Sequence, residues 1–402
     1  MRASMSDGLL LRLFGECWRV DLSAYADPRP LVSRLGHLWA RVRVNGHDAS
    51  GAAVVVFRPS ADALTGPRDP HVRTAYVTER TDGAFPYAFS RALTQAAIEH
   101  LAGSGLLLHA AALASGDGSR AVVMVASSGT GKSTAARTLG TRFGYLSDEL
   151  VRVDASYRVE GLTKPLSIIV PGFPGGKDEC SPDDEGLAPT PLSPPVLAAI
   201  VCLQRDPGAD AVELQPIGVH ELIAEVLPQS SSIWRGLRPL HHLVGAATEG
   251  GGPFRLRYAE IAEAERVVDD LLASRGDSRA EARWIGHPPA DSERWTGDVA
   301  AAEGVPPTGA ADAVVTRMPW TDAIECDGEV SVLNGPEFSR IAGIAATMWL
   351  WCAQPRTVAE LTAALIDEHG PHPDAAQLVR SALEALSERR LVRVTSPADP
   401  LG

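Results

Sequence analysis

Residues 122–140 read VVMVASSGTGKSTAARTLG, an apolar run followed by a glycine-rich loop and then by a segment with helical spacing. Gly131, Lys132 and Ser133 stand at the junction of loop and helix, which is the layout of a phosphate-binding P-loop. In such a loop, backbone N–H groups and the helix N-terminus surround phosphates, the lysine contacts the β- and γ-phosphates, and the hydroxyl holds Mg²⁺. The stretch predicts an α/β fold with a nucleotide-phosphate site.

The loop supplies the candidate ligands of a nucleotide. Its first position is Ala126, where the pattern G-x-x-x-x-G-K-[ST] has glycine, and alanine fits there if this residue keeps a negative φ. We expect these residues to bind ATP: Ser128, Gly129, Thr130, Gly131, Lys132, Ser133 and Thr134. The alternative is a small-residue loop that spells GKST by chance. The apolar strand before the loop and the helix after it favour the phosphate site.

The lysines point to the same region. The chain has only three, Lys132, Lys164 and Lys177, against 34 arginines, and all three lie close together in the sequence. An ammonium is a compact point charge that fits a phosphate cradle where a planar guanidinium does not. Lysine retained at these positions indicates sites where arginine cannot serve, although chance retention of Lys164 and Lys177 stays an alternative.

Composition limits the class of protein. A length of 402 residues predicts two or three domains, and 45% apolar and 22% charged residues are ordinary for a globular protein. The net charge of −13 argues against nucleic-acid and membrane partners. No secretion signal and no apolar run of about 18 residues is present. Five scattered cysteines without CxxC spacing indicate reduced thiols, so we expect a cytoplasmic protein.

The pattern of apolar and turn residues divides the chain. Residues 1–90 predict strands at 9–14, 17–22, 53–57 and 72–77, and 86–101 predicts a helix. Further predicted strands lie at 106–114, 121–125, 145–153, 197–204 and 254–258, with helices at 133–139 and 261–272. Residues 171–195 are rich in Pro, Gly and acidic residues, which is typical of a mobile lid or substrate loop.

The C-terminal part has its own apolar pattern. Residues 275–312 predict an interdomain linker between a domain at 1–274, strand-rich over 1–100, and a domain at 313–402. In the second domain we expect small strands at 314–318 and 324–333, then three helices at 337–351, 357–368 and 374–389, and a last strand at 391–394. This is a winged-helix-like α+β arrangement.

Two acidic residues end the strand after the P-loop helix. Asp148 and Glu149 follow an apolar strand that would lie beside the P-loop strand, so Asp148 would face Mg²⁺ and the γ-phosphate. Ser133, Asp148 and Glu149 are the candidate metal ligands. The alternative is a solvated strand end. His109 lies among apolar residues, and taken alone it is read as a satisfied core histidine.

The order LLLHAAAL, SSGTGKST, YLSDELV and KPL is similar to that of the HPr kinase/phosphorylase family and its relatives, including serine kinases that tailor peptides. The resemblance covers about residues 8–273 and implies a PEP carboxykinase-like P-loop fold. It implies that Asp148 is the general base for a substrate hydroxyl, that His109 is its partner and that Lys132 balances phosphate charge, with Lys164 as a basic residue that neutralises transferred phosphate. Glu149 stands where the family usually has a second Asp.

The C-terminal domain resembles the PqqD-like domain, also called the RiPP recognition element. The resemblance rests on IECDGEVSVLNG, AATMWLW, RTVAELTAALIDEHG and LVRSALEALSERRLVRV. It implies that an extended leader peptide adds as a strand to the small sheet. The alternative is a DNA-binding winged helix. From residue 313 onward, 7 Arg and no Lys stand against 12 Asp plus Glu, and this acidic balance favours peptide recognition.

Together the two resemblances imply an ATP- and Mg²⁺-dependent kinase-like protein of ribosomal peptide modification. It would bind the leader of a precursor peptide and phosphorylate a Ser or Thr hydroxyl. The rival hypothesis is a non-catalytic scaffold that presents the peptide to separate tailoring enzymes, favoured by Ala126 and Glu149. An ATP-dependent step that ends in another product stays open, because a P-loop fixes the nucleotide and not the acceptor. Other tailoring enzymes as partners and a homo-oligomer also stay open.

Overall fold

The computed structural model describes residues 8–44, 52–60, 72–78, 82–127, 129–173, 176–274, 283–297 and 310–396. The chain is a mixed α/β protein that divides into two compact units. The first unit comprises Met1–Ile217, Ala224–Ile233 and Ala246–Ala280, and the second comprises Gly218–Ile223, Trp234–Gly245 and Glu281–Gly402. Among the described residues, no helix is both long and apolar enough to span a membrane.

The first half of the chain contains these elements: β1 (Gly8–Leu13), β2 (Glu16–Asp21), α1 (Arg29–Leu38), β3 (Ala53–Arg58), β4 (Val72–Val77), α2 (Phe85–Leu101), β5 (Leu106–Leu108), β6 (Ala110–Ala114), β7 (Arg120–Val125), α3 (Lys132–Leu139), β8 (Gly144–Ser147), β9 (Val151–Val153), β10 (Val159–Gly161), β11 (Leu166–Ile169) and β12 (Lys177–Cys180). The central part adds β13 (Val196–Arg205), β14 (Glu213–Pro216), α4 (Val219–Val226), α5 (Pro239–Glu249), β15 (Phe254–Tyr258) and α6 (Glu265–Ala273).

The C-terminal part contains β16 (Ile285–Gly286), β17 (Val314–Arg317), β18 (Asp322–Cys326), β19 (Glu329–Asn334), β20 (Glu337–Ala342), α7 (Gly343–Trp351), β21 (Arg356–Thr357), α8 (Val358–His369), α9 (Ala375–Glu388) and β22 (Val392–Thr395). The predicted strands at 9–14, 17–22, 53–57 and 72–77 and the predicted helix at 86–101 are confirmed with small shifts of their ends. The sequence analysis missed α1, α4 and α5.

The first unit is built around a six-stranded sheet of order β14-β15-β13-β7-β6-β8. Its centre is parallel, since β13 pairs in parallel with both β7 and β15, and β6 pairs antiparallel with β7 and β8. In β7 every residue after Arg120 is buried, which is the pattern of a central strand covered on both faces. The loop that follows Val125 therefore starts from a fixed position.

Helices cover this sheet and hold the loop from its other end. Ala135, Ala136 and Leu139 of α3 are buried, and they share a core with Val268 and Leu272 of α6. Their spacing of three and four residues places them on one face of each helix. A separate core unites the four-stranded sheet β1-β2-β3-β4 with α1 and α2.

The second unit has two small sheets, of order β16-β18-β19-β20 and β21-β17-β22, packed with α7, α8 and α9. Helix α8 begins at a capping box in which Thr357 and Glu360 exchange hydrogen bonds. The buried carboxylate of Asp322 accepts hydrogen bonds from the backbone N–H groups of Leu240 and His241, at the N-terminus of α5. These bonds explain why the segment 234–245 belongs to the C-terminal unit.

Three segments differ from the sequence prediction. The predicted helix at 337–351 begins only at Gly343, because the residues before it pair along their whole length with β19 as β20. The predicted loop at 171–195 contains β12, which pairs with β11. The described part of the predicted linker, residues 283–297, lies on the second unit, where Ile285 pairs with Glu325 and the Trp320 indole N–H donates to the His287 carbonyl at 2.8 Å.

Candidate functional site

The loop between β7 and α3 has the backbone that a phosphate cradle requires. Gly129 and Gly131 have φ values of 82° and 106°, in the left-handed region that favours glycine. A Cβ on Gly131 would also lie 3.3 Å from the Tyr258 hydroxyl oxygen. Ala126 is not among the residues of positive φ, so alanine is compatible with the first loop position. Ser128 lies outside the described residues.

Lys132 is the first residue of α3 and its side chain folds back over the loop. Its ammonium donates hydrogen bonds to the carbonyl oxygens of Ala126 and Ser127. Burial lowers the pKa of this ammonium. The hydroxyl-bearing side chains of Ser133 and Thr134 follow directly and are exposed. One cation and two hydroxyl groups thus stand at the positive end of the helix dipole.

The two acids predicted at the end of β8 meet a buried lysine. Lys164 is 2% exposed, and its Nζ lies 3.5 Å from Oδ1 of Asp148 and 3.2 Å from Oε2 of Glu149. Burial acts to lower the pKa of the Lys164 ammonium, but the surrounding carboxylates outweigh burial and raise it. Lys164 is therefore a permanently charged counter-ion of both acids. The side chain of Asp148 is 4% exposed and that of Glu149 is 39% exposed.

Further hydrogen bonds fix Asp148 and Lys164. The Tyr145 hydroxyl donates to Oδ1 of Asp148 at 3.2 Å. The Lys164 ammonium also donates to the Pro165 carbonyl at 3.0 Å. Its distance to the Ser167 hydroxyl oxygen is 3.5 Å. The Tyr145 hydroxyl and the Lys164 ammonium are thus the side-chain partners that fix the position of Asp148.

A second buried acid lies behind this group. Glu179 on β12 is 4% exposed and accepts hydrogen bonds from the hydroxyl groups of Ser90, at 2.7 Å, and Ser167. Burial raises the pKa of the Glu179 carboxyl, and the nearby Lys164 ammonium opposes that shift. Because Ser90 belongs to α2 and Ser167 to β11, Glu179 ties the helix to the hairpin that carries part of the site.

His109 occupies the break between β5 and β6. Its backbone N–H donates to the Gln229 carbonyl at 2.6 Å, and its Nε2 lies 2.9 Å from the Ser231 hydroxyl oxygen. Burial lowers the pKa of the His109 imidazole, Glu149 acts to raise it and Lys132 acts to lower it. The ring is thus neutral near pH 7. Its hydrogen-bond partner is Ser231, where the resemblance implied a pairing with Asp148.

The described site residues that the sequence predicted, except Thr130, line one cavity of about 530 Å³. All three lysines of the chain are among its walls. The lining consists of Tyr87, Ser90, Arg91, His109, Gly129, Gly131, Lys132, Ser133, Thr134, Asp148, Glu149, Lys164, Ser167, Ile169, Lys177 and Gln229. Thr130 does not line the cavity and instead bonds within the loop, with its hydroxyl donating to the Ser127 carbonyl at 2.7 Å.

The donor set is one that Mg²⁺ accepts together with phosphate. Within the described residues, no group of three or more His, Cys, Asp and Glu side chains is arranged to hold a metal by itself. Ser133, Asp148 and Glu149 offer only oxygen ligands, and Mg²⁺ is commonly held by one or two carboxylates plus substrate phosphates. These residues fit a metal that arrives with a nucleotide.

Comparison with protein-family models and with curated protein sequences finds no match. Comparison with solved structures finds the HPr(Ser) kinase/phosphatase from Coxiella burnetii. The match has 16% sequence identity and a TM-score of 0.20, and it covers 28% of this chain and 72% of that one. A similarity with this TM-score supports no statement about function. The functional argument rests on the geometry described above.

Several residues that line the cavity or bond to its lining were not identified by the sequence analysis. Tyr87 and Arg91 lie on α2, Glu179 lies in the segment read as a loop, and Ser231 lies in a part of the chain without a motif. Each is distant in sequence from the P-loop, so no local pattern marks it. The one sequence feature that could have indicated this part of the site is Lys177, one of only three lysines in the chain.

Proposed function

We propose that this protein is an ATP-dependent phosphotransferase that transfers the γ-phosphoryl group of ATP to a Ser or Thr hydroxyl of a peptide. One observation carries the proposal: the P-loop lysine, the acid pair with its buried lysine, and a neutral histidine line the same cavity. A purely structural ion pair would have no reason to face a phosphate-binding loop. Perturbed ionisable groups in a cleft are typical of a catalytic site.

The donor half of the site is the P-loop. The N-terminus of α3 and the Lys132 ammonium would receive the phosphates of ATP. Lys132 would exchange its bonds to the Ala126 and Ser127 carbonyls for bonds to phosphate oxygens. Burial disfavours its charge, so an anionic partner at this position would bind strongly.

The metal would be held by the hydroxyl of Ser133 and by the carboxylates of Asp148 and Glu149. When bound with ATP, Mg²⁺ neutralises charge that develops on the phosphates. Lys164 would hold both carboxylates in place before the nucleotide arrives, because the surrounding acids raise the pKa of its ammonium and keep it charged. The longer side chain of Glu149 is the more exposed of the two, which lets it reach into the cavity.

The transfer step uses Asp148 as the base. The acceptor oxygen would attack the γ-phosphorus, the bond from that phosphorus to the bridging oxygen of ADP would break, and the hydroxyl proton would pass to Asp148. Lys132 and Lys164 would balance the charge of the phosphates and of the phosphoester. His109 is neutral and bonded to Ser231, so it would act as a hydrogen-bonding group and not as a cation.

We further propose that the second unit recognises an extended leader segment of the peptide. Strand β20 is the last strand of the sheet β16-β18-β19-β20, so one of its edges is unpaired in that sheet. Asn334 and Glu337 flank a two-residue turn and form the first hydrogen-bonded pair of the hairpin. Hydrogen-bonded and non-hydrogen-bonded pairs alternate from there, so Arg340 is in a non-hydrogen-bonded pair and its backbone N–H and C=O groups face the free edge. The Arg340 carbonyl accepts a bond from the Arg389 guanidinium at 3.2 Å. Such an edge suits strand addition.

A precursor held at this edge would be present at a high local concentration near the transferase site. The product would be a phosphorylated peptide of ribosomal origin. The competing hypothesis is a scaffold that binds leader peptide and nucleotide without catalysis. The two hypotheses differ in whether a phosphoester forms.

The test is mass spectrometry of Ser- and Thr-containing peptides after incubation with ATP, Mg²⁺ and the full chain. We expect a mass gain of one phosphate with the wild-type protein and none with Lys132→Ala, because that variant loses a charge that contacts phosphate. Thr141→Ala, at the end of the helix and away from the cavity, is the matched control. Lack of phosphate on every peptide with the wild-type protein would favour the scaffold.

A further inference from the structure

The lining of the cavity includes an aromatic ring with two cations beside it. Tyr87 and Arg91 lie one turn apart on α2, and Lys177 begins β12. The Lys177 Nζ lies 5.3 Å from the centroid of the Tyr87 ring, and the Arg91 Cζ lies 6.0 Å from it. Both distances are within the range of cation–π contacts. Two positive charges therefore lie beside one ring in the cavity wall.

The cavity's other cations already have partners or a role. Lys164 is paired with Asp148 and Glu149, and Lys132 is bonded to the P-loop. Within the part of the chain that the structure describes, no carboxylate lies within ion-pair distance of Arg91 or Lys177. Two like charges that share one ring repel each other, and an anion that binds between them would relieve this repulsion.

The pair and the candidate phosphate site lie on different elements of the fold. Lys177 lies on the β11–β12 hairpin and Arg91 on α2, whereas the phosphates would bind at the loop before α3. Glu179 fixes the two elements to each other through Ser90 and Ser167. The two cations thus stand on a rigid support, and a ligand that enters the cavity beside the γ-phosphate would meet them.

We propose that Arg91 and Lys177 form an acceptor subsite for a carboxylate, so that the substrates are peptides in which a carboxylate accompanies the acceptor hydroxyl. This inference rests on the phosphotransferase function proposed above. Arginine and lysine both bind carboxylates by charge-assisted hydrogen bonds. The carboxylate could come from an Asp or Glu side chain or from the C-terminus of the peptide, and the experiment separates these two sources.

The probes are four short peptides with one serine each. Two carry an amidated C-terminus and differ only in Asp or Asn next to the serine. Two end in serine and differ only in a free or amidated C-terminus. Phosphate transfer is measured by mass spectrometry, and binding is measured by fluorescence anisotropy with the full chain loaded with a non-hydrolysable ATP analogue. The variants are Lys177→Met and Arg91→Gln, and the control is Arg266→Gln, a surface residue of α6 with its side chain 93% exposed.

We expect at least one carboxylate peptide to bind and react better than its neutral partner, by about tenfold for a charge-assisted hydrogen bond. Each variant should raise KM for that peptide by about tenfold and leave kcat and the KM for ATP within about twofold. Arg266→Gln should change none of these values. The preference should weaken as salt is raised.

The outcomes separate this inference from the function on which it rests. If neutral and carboxylate peptides react equally and the two variants behave as wild type, the subsite is wrong and the phosphotransferase stands. If no peptide is phosphorylated but binding still prefers a carboxylate and needs Lys177, the subsite is supported and the transferase is wrong. If neither reaction nor selective binding occurs, both are overturned.

Discussion

Replacement of Lys164 by methionine tests the charge arrangement of the candidate site. Met fills much of the volume of the lysine stem but removes the ammonium that serves both Asp148 and Glu149. Removal of one partner of a buried ion pair strands the other charge and costs about 3–5 kcal/mol. Because Glu149 is 39% exposed, water screens the interaction between its carboxylate and Lys164. Most of the loss of stability therefore comes from the buried carboxylate of Asp148. We therefore expect Lys164→Met to lower the free energy of unfolding by ~3 kcal/mol.

A second substitution distinguishes a stranded charge from a simple loss of packing. In Lys164→Met, adding Asp148→Asn removes the uncompensated carboxylate and should restore ~2 kcal/mol, so the double variant is more stable than the single one. Folding raises the pKa of Lys164, so its stabilisation is fully present below the unfolded pKa of about 10.4 and is lost as pH rises above it. The deficit of Lys164→Met should thus be constant from about pH 6 to 9.

The assay is urea unfolding of the full chain, with midpoints compared at equal slope. Lys177→Met is the matched control, since this lysine is only partly buried and has no carboxylate partner among the described residues, and we expect it to change stability by less than about 0.5 kcal/mol. A loss below about 1 kcal/mol in Lys164→Met, or a double variant no more stable than the single one, would refute the counter-ion role.

Three other predictions concern the remaining parts of the account. Glu149→Gln should weaken the Mg²⁺ dependence of ATP binding by about tenfold, measured by calorimetry at varied Mg²⁺, and an unchanged dependence would remove Glu149 from the metal site. His109 has a pKa lowered mainly by burial, so the free energy of unfolding should fall as pH drops below about 6.5, and His109→Gln should flatten this profile; identical profiles would contradict a buried neutral imidazole. Arg340→Pro should abolish leader-peptide binding because it removes an N–H group at the free edge of β20, whereas Arg340→Ala keeps that group and should bind within about threefold; equal binding by both variants would exclude strand addition there.

The sequence predicts the strand, loop and helix around Lys132 well because these elements are local. Strand, loop and helix are consecutive, so the spacing of Gly131, Lys132 and Ser133 determines their geometry. Asp148 and Glu149 follow the next strand of the same sheet, but that strand, β8, pairs with β6 and does not lie beside the P-loop strand β7 as the sequence analysis expected. The resemblance assigned Lys164 a phosphate-neutralising role, and its pairing with both acids depends on a contact between two connecting segments that the sequence does not show.

The acceptor end of the site could not be predicted, because tertiary contacts create it. Glu179 and Lys177 lie in a segment whose Pro, Gly and acidic content indicates a loop, yet β11 supplies a pairing partner that makes it a strand. Tyr87 and Arg91 lie on a helix whose position was predicted, but nothing local indicates which of its faces meets the cavity. The composition of this segment indicated a loop, but its pairing with β11 made residues 177–180 a strand.

The C-terminal unit shows the same limit. Phe338 and Ile341 have the three-residue spacing of a helix. The two-residue turn before Glu337 instead brings this segment into antiparallel pairing with β19. The sequence placed the start of this domain at residue 313, whereas Asp322 bonds to the N-terminus of α5 and residue 285 pairs with Glu325. These two earlier segments of the chain belong to the C-terminal unit, but no periodic pattern in their sequence indicates this.

The central claim is that one cavity both binds ATP and transfers its phosphate, with Asp148 as the base. The most direct measurement is a parallel determination of ATP affinity by calorimetry and of phosphoester formation by ³¹P NMR for the wild type and Asp148→Asn. The account predicts that the variant, whose amide oxygen can still contact Mg²⁺, binds ATP within about tenfold of the wild type but forms no phosphoester, because the group that accepts the proton is lost. Phosphoester formation at the wild-type rate by Asp148→Asn would contradict the account.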